Sequence, residues 1–450
     1  MTDPHGAPLS PDQVARLRAA ATDLEASTIA FLQELVRIPT ENPKLAPIEA
    51  GAEADCQDLI ERRLRDLGAT IDRWDVYPGR PDVVGTFTGA GGAGARSLIL
   101  NGHIDVVPAG DPAAWTHPPF AAEIADGKVW GRGAVDMKGG VAAMIAAVEA
   151  VQRAGLRPRG DVLVESVVDE ETGGPGTTQT VEHGYRADAA IVVEPTGLVI
   201  QPVEGGLEWL RVVVRGRSGH SAYRYRSVHA GGQGTAVNAI EKAAKILAAV
   251  QELERDWGNR KHHPLLPAGI TTINPGVILG GTGGGHDGVP NVLTAVSTFP
   301  DYCALELSLK YLPSERTADV RAAFEEYIAR VAAADPWLRE HPPEIKWGIR
   351  GVSFPPAETP PDHPLLAVLE RAASLATGQP AVQDGMVAVT DLAWLAGAGI
   401  PGAIFGPGGI GNAHGDDEHI AVADVTQGVF ALAVAICEWC GVIDVNVDAA

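Results

Sequence analysis

The chain is short of basic charge and of cysteine, and each shortage removes a class of function. Against 57 aspartates and glutamates stand 35 lysines and arginines, a formal charge of −22 at pH 7. A surface of that sign offers no basic face to nucleic acid or to an anionic membrane, so neither is expected as a partner. Four cysteines in 450 residues do not make a disulfide scaffold. Cys437 and Cys440 form a CxxC, which reads as redox chemistry, as half a zinc site, or as two core-facing thiols. No second pair and no βαβ thioredoxin context accompany it, so the third reading is preferred. No basic segment leads into an apolar stretch at the N-terminus, and no run approaches about 18 uninterrupted apolar residues. A cytoplasmic location is the expectation.

What is present is apolar content, 45% of the residues, too much chain for one ordinary core. Val14, Leu17, Ala20, Leu24, Ile29, Leu32 and Val36 recur at helical spacing over 12–36, and Ile38-Pro39-Thr40-Glu41-Asn42-Pro43 ends that helix. A second helix is expected over about 50–67, strands at 70–76, 82–88 and Ser97–Asn101, and a hairpin loop at Gly89–Gly94. Helix from Lys138 to about Leu156, strand over 161–168, helical stretch near 177–184 and apolar run over 189–193 continue the alternation. Near-continuous apolar strands alternating with helices predict an α/β fold with a mainly parallel sheet flanked by helices.

After Gly205-Gly206 the pattern changes. Strands at 208–215, near 269–279, near 302–312 and near 344–350, with helices over about 235–256 and 315–334, give a β-α-β-β-α-β order. That order predicts an inserted ferredoxin-like α+β domain, with Gly280–Gly285 as a flexible loop inside it. A helix over 363–377 and a buried strand over 402–406 return to the first domain. The expected division is therefore 1–206 and 351–450 for one domain and 207–350 for the other.

Five acid-and-histidine segments close apolar runs: His103-Ile104-Asp105, Asp136, Glu170-Glu171, Glu194 and His414. In a sheet covered on both sides, ligands gather at the carboxyl ends of strands. His103 and Asp105 project to the same side of a strand end, where the carboxylate orients the imidazole; by itself HxD is more often structural. Asp136, in Gly-Arg-Gly-Ala-Val-Asp-Met-Lys-Gly-Gly, reads as an N-cap or as a carboxylate that bridges two cations. Glu170 and Glu171 point different ways, so one can bind metal while the other faces the reaction centre; a solvated pair is the plainer reading. Two histidines and three carboxylates suit a pair of divalent cations, Zn²⁺ first, with Co²⁺ or Mn²⁺ also accommodated.

Val36-Arg37-Ile38-Pro39-Thr40, Asn101–Pro108, Gly131–Gly140, Asp169-Glu170-Glu171, Glu194-Pro195-Thr196 and Ala413-His414-Gly415 together resemble a known family. It is that of the co-catalytic zinc amidohydrolases: acetylornithine deacetylase, succinyl-diaminopimelate desuccinylase, aminoacylase and bacterial glutamate carboxypeptidase. The resemblance runs in the family's order over nearly all the chain after about residue 28. It implies a zinc-peptidase-like fold whose inserted domain is a lid and dimer contact, hence a homodimer. It also implies that His103, Asp136 and Glu194 hold one zinc, and Asp136, Glu171 and His414 the other. Glu170 would be the general base, Asp105 would orient His103, and a bridging water would attack the amide.

From the same resemblance, His220 in Gly-Arg-Ser-Gly-His-Ser-Ala would stabilise the oxyanion, in cis or in trans. The residues alone read it as a turn histidine. Asn291 would be an amide donor, and Gly408 in Gly-Pro-Gly-Gly would shape the pocket floor. There is one departure: Lys310 stands where relatives place a carboxylate-clamping arginine, and lysine lacks the bidentate fork. Either Arg224 or Arg226 compensates, or the substrate lacks a standard α-carboxylate. The expected activity is removal of a small acyl group (acetyl, succinyl or formyl) from a small-molecule amine. The alternatives are a carboxypeptidase or dipeptidase of the same family and a catalytically silent binding subunit. The last would be marked by loss of the base or a ligand, and all six residues are present.

Overall fold

Strands buried along their whole length need cover on both faces, and four of the six strands of the central sheet are of that kind. The structure, a computed structural model, describes residues 8–45, 52–228, 234, 236–285, 289–292 and 296–445. The sheet comprises β1 (Thr70–Tyr77), β2 (Arg80–Phe87), β3 (Leu98–His103), β4 (Val162–Val167), β5 (Ala189–Val192) and β6 (Gly402–Ile404). Their order is β1-β2-β4-β3-β5-β6. The pairs β4–β3, β3–β5 and β5–β6 are parallel, and β1–β2 and β2–β4 antiparallel. All residues of β3 to β6 are buried, as parallel pairing with helices alongside requires.

Helices Pro11–Val36, Gly139–Arg153, Pro364–Thr377 and Val422–Cys440 pack on one another, while Ala52–Asp66, Pro175–Glu182 and Leu392–Gly397 pack against strands and each other's neighbours. The helix expected over about 50–67 occupies Ala52–Asp66, and residues 50 and 51 lie outside the described ones. Val422–Cys440 is long and apolar enough to cross a membrane by length and composition, yet most of it is buried in the core. From Gly428 to Cys440 every residue of it is buried, as packing among other helices requires. Cys437 and Cys440 are free, buried thiols on it, and burial raises the pKa of both.

The segment Gly89–Gly94 is not a hairpin loop. β4 lies between β2 and β3, so the chain must cross rather than turn back. Ala90 and Gly91 donate to the carbonyls of Pro158 and Arg159, and a Cβ at Gly89 would lie 2.2 Å from the Arg159 oxygen. The glycine is there for that contact.

Gly205–Pro356 forms a second compact unit, and the residues up to Glu204 and from Ala357 form the first. The second unit has an antiparallel sheet in the order Pro290–Val292, Ile273–Gly284, Tyr302–Tyr311, Gly206–Arg215, Glu344–Trp347. Ala239–Arg260 and Thr317–Ala333 bury Ile246, Val250, Phe324 and Ile328 against Leu210, Leu305 and Leu307 of that sheet. Apart from the short strand Pro290–Val292, the connection is β-α-β-β-α-β. Gly280–Gly284 is strand rather than loop: Gly280 and Gly281 pair with Cys303 and Tyr302, and Thr282 and Gly284 with Val292 and Pro290. A Cβ at Gly280 would lie 2.5 Å from the Ile240 side chain, so glycine serves helix-to-strand approach, not flexibility.

Candidate metal centre

The parallel strands carry their last residues to one end of the sheet, and the functional side chains collect there. His103 is the final residue of β3 and is 1% exposed. Its Nδ1 bonds the Asp105 main-chain carbonyl at 2.8 Å, with the Asp105 carboxylate further off at 3.6 Å. A ring nitrogen paired in this way leaves Nε2 to face a metal. Asp136 lies in the turn Ala134–Lys138, immediately before helix Gly139–Arg153. Its two oxygens face different histidines, Oδ1 at 3.3 Å from His103 Nε2 and Oδ2 at 3.2 Å from His414 Nε2. Glu194, two residues past β5, sets Oε1 3.6 Å from His103 Nε2. Glu171 sets Oε1 3.2 Å from His414 Nε2.

Glu170 and Glu171 leave β4 through Asp169, whose φ of 68 is left-handed, and enter a short 3-10 turn, Glu170–Thr172. The reversal explains the divergence of adjacent side chains. Glu170 Oε2 is 3.9 Å from His103 Nε2, the longest of these contacts. Ligand atoms of His103, Asp136 and Glu171, and those of His103, Glu170 and Glu194, lie within 4.8 Å of one another in each group. The five expected ligands and Glu170 thus lie close together: His103 is common to both groups, and Asp136 faces both histidines. That donor chemistry fits two Zn²⁺-type cations, with Glu170 near enough to be a donor itself.

The charges are arranged for cations as well. Burial opposes the charged form of His103, but its bond to Asp136 and the charges of Glu194 and Glu170 push its pKa well above the usual value. Burial acts to raise Asp136, yet the bonds from His103 and His414 hold it well below the ordinary range. Bonds to Asp136 and then Glu171 raise His414 to about 10. Burial lifts Glu170, Glu171 and Glu194, with neighbouring carboxylates adding to the rise. Carboxylates packed at this density in low dielectric call for positive charge among them.

A small cavity of about 210 Å³ opens on this cluster. Besides Asp136, Glu170, Glu171, Glu194 and His414, it is lined by Met386, Ala388, Val389, Thr390, Ile410 and Ala413. Gly408 packs elsewhere: at φ 77 its Cβ would meet the side chains of Val135 and Ile420, and its carbonyl accepts from Gly197.

Five further candidates belong to the second unit. His220 is exposed and accepts the Ala222 N–H at Nδ1, 3.1 Å, as the cap of a 3-10 turn. Asn291 is exposed on the strand Pro290–Val292. Lys310 is half-buried near the end of Tyr302–Tyr311, and burial lowers its pKa. Arg224 pairs with Glu241, and Arg226 bonds the Tyr225 hydroxyl.

Asp105 was expected to orient His103; that its carboxylate also holds the ligand loops, with Asn42 and Arg80 behind it, was not foreseen from the sequence. Asp105 Oδ1 and Oδ2 accept the N–H groups of Glu170 at 3.1 Å and Glu171 at 3.3 Å. Asn42 Nδ2 reaches Asp105 at 2.8 Å and Asp169 at 3.0 Å. Arg80, paired with Glu53, also meets Asp169 at 2.7 Å. Asn42 stood in the proline-rich stretch that ends the first helix, and proximity to Pro43 was the one signal it offered.

A mixed sheet that gathers two histidines and four carboxylates at one end, around a small cavity, presents a candidate binuclear metal site. The chain belongs to the peptidase family M20/M25/M40, whose family model matches residues 99–438, and it is a zinc-dependent amidohydrolase of that family. It is 37% identical over 418 residues to the N-formyl-4-amino-5-aminomethyl-2-methylpyrimidine deformylase of Halalkalibacterium halodurans, covering 92% of this chain and 94% of the relative. A succinyl-diaminopimelate desuccinylase of Cereibacter sphaeroides is 34% identical over 319 residues, 68% of this chain and 73% of the relative. Among solved structures, an M20 family metallo-carboxypeptidase from Sulfolobus solfataricus superposes with a TM-score of 0.70 at 17% identity, covering 92% and 99% of the two chains.

Proposed function

We propose that the protein removes a small acyl group, formyl by preference, from the amine of an uncharged heteroaromatic compound. The observation that carries this reading is the cavity lining: beside the carboxylates it has Met386, Ala388, Val389, Ile410 and Ala413, with no lysine or arginine among the described residues that line it. An apolar wall favours a flat, uncharged ring and gives a substrate carboxylate nothing to pair with. Lys310 in place of a forked arginine agrees with a substrate that has no α-carboxylate. Two relatives at 37% identity, from Halalkalibacterium halodurans and Bacillus subtilis, carry the name of a formylaminopyrimidine deformylase.

Metal ions held by His103, Asp136, Glu194, Glu171 and His414 would supply Lewis acidity and water of lowered pKa. The chain's own residues do the rest. Glu170, buried beside both donor sets, takes a proton from the attacking water and delivers it to the leaving amine. Asp105 fixes Glu170 by accepting its N–H. The apolar wall seats the ring and excludes bulk water. Formate and a primary amine leave. A homodimer, and participation of His220 in stabilising the oxyanion, are proposed on the family resemblance.

The test compares kcat/KM, with Zn²⁺ or Co²⁺ restored, for N-formyl-4-amino-5-aminomethyl-2-methylpyrimidine, N-acetylornithine, N-succinyl-diaminopimelate and a set of dipeptides. The formyl compound should lead by at least about a hundredfold. A lead for either acyl amino acid overturns the ring preference. A lead for dipeptides makes the protein a dipeptidase.

A further inference from the structure

The two donor sets are held by unequal means. His103 ends β3 and Glu194 follows β5, so one set hangs from strands. Glu171 and His414 stand in loops. The His414 side chain is 52% exposed and meets Asp136 and Glu171 through Nε2. Its backbone has φ 63, a left-handed conformation that a non-glycine residue keeps only where its surroundings hold it.

The holding contact comes from Arg132. This side chain is 2% exposed and Glu418, its partner, is fully buried. Arg132 Nη1 donates to Glu418 Oε2 at 2.5 Å. Its Nη2 donates to the His414 carbonyl at 3.2 Å and the Pro108 carbonyl at 3.4 Å. Glu418 Oε1 accepts the N–H groups of Val135 and Asp136, both at 3.1 Å, and the Glu418 carbonyl accepts the Gly131 N–H. One buried pair therefore grips the Asp136 turn, the His414 backbone and the loop that follows His103.

We propose that Arg132 and Glu418 are positioning residues that set the Asp136 carboxylate and the His414 ring relative to each other, and so determine the affinity of the metal position made by Asp136, Glu171 and His414. The inference rests on the two-metal reading of the centre. Stability alone does not explain the pair, because a buried ion pair is often no better than an apolar one. Its geometry does: Nη1 holds the Glu418 carboxylate while Nη2 reaches the His414 and Pro108 carbonyls, a fork that a lysine ammonium cannot reproduce. Glu418 uses one oxygen for two N–H groups and the other for the guanidinium. Glutamine would turn one of these acceptors into a donor.

The experiment strips the full-length protein of metal and titrates it with Co²⁺, following heat and the visible absorption of each equivalent, for wild type, Glu418→Gln and Arg132→Lys. Apo-protein melting is recorded beside it. In both variants the second equivalent should weaken by about 10- to 100-fold with an altered absorption band, and the first should stay within about twofold. Equal weakening of both equivalents, or of neither, overturns the inference; Arg132→Lys decides alone should Glu418→Gln not fold. A wild type that takes up one equivalent overturns the two-metal reading and this inference together. A wild type with two, beside unchanged variants, overturns the inference only.

Discussion

At the scale of single residues, Glu170 and Glu171 show how neighbours in sequence acquire different tasks. Glu171 faces His414 at 3.2 Å, whereas Glu170 stands 3.9 Å from His103 and is held through its backbone by Asp105. If Glu170 moves the proton, Glu170→Gln leaves the five other donors in place and removes the base. Metal content should stay at two per chain while kcat falls by about 10²- to 10⁴-fold. Metal analysis beside steady-state rates checks this, and loss of one metal instead would make Glu170 a ligand. The ligands were legible in the sequence because each closes an apolar run within a short motif. Asn42, Arg80, Arg132 and Glu418 were not, because their partners lie far off in the chain. A lone arginine or glutamate reads as solvated surface, and only the fold shows that Glu418 is buried against the Asp136 turn.

At the scale of elements, strands and helices were readable from apolar period, and the glycine-rich connections were not. Gly89–Gly94 and Gly280–Gly284 looked like loops because glycine marks turns, yet each admits close approach of another segment. One strand read as buried carries an acid within it. Glu165 lies in β4, fully buried, accepting from Asn101 at 3.0 Å and Thr180 at 3.3 Å. Burial raises its pKa to about 7, the bonds from Asn101 and Thr180 oppose the rise, Asp391 adds to it and Arg186 opposes it. The folded state therefore holds this proton more tightly than the unfolded chain does. Its stabilising share is full below about pH 4.5 and is lost as pH rises to about 7, amounting to about 3 kcal/mol at most. Glu165→Gln keeps an acceptor for both donors and cannot ionise. Urea unfolding at about pH 5 and about pH 8 should show the variant gaining on wild type by up to about 3 kcal/mol at the higher pH. A constant difference across that range would mean that Glu165 does not titrate there.

At the scale of the whole molecule, the two units differ in what holds them together. Gly205–Pro356 has its own apolar core of helix and sheet residues, and its ionic contacts are ordinary pairs such as Arg321 with Glu208. The other unit carries, near the ends of its strands, Asp136, Glu170, Glu171 and Glu194 together with the buried His103 and the exposed His414. Without cations the buried Glu170, Glu171 and Glu194, each pushed up by burial, oppose folding, and with cations each bound ion adds its binding free energy to the folded state alone. At a free concentration a hundred times Kd this is about 2.7 kcal/mol per site, or a rise in melting temperature of about 5 °C for a unit of this size. Calorimetry of the full-length protein should therefore show that EDTA lowers the melting of the unit containing β1 to β6. Zn²⁺ should restore it, while the transition of Gly205–Pro356 stays within about 1 °C. The two are told apart by a tryptophan probe: Trp257 and Trp347 report the second unit, and Trp115 and Trp130 the first. A chelator effect of equal size on both sets of probes would mean that the units unfold as one cooperative body and that the metal centre stabilises the whole chain.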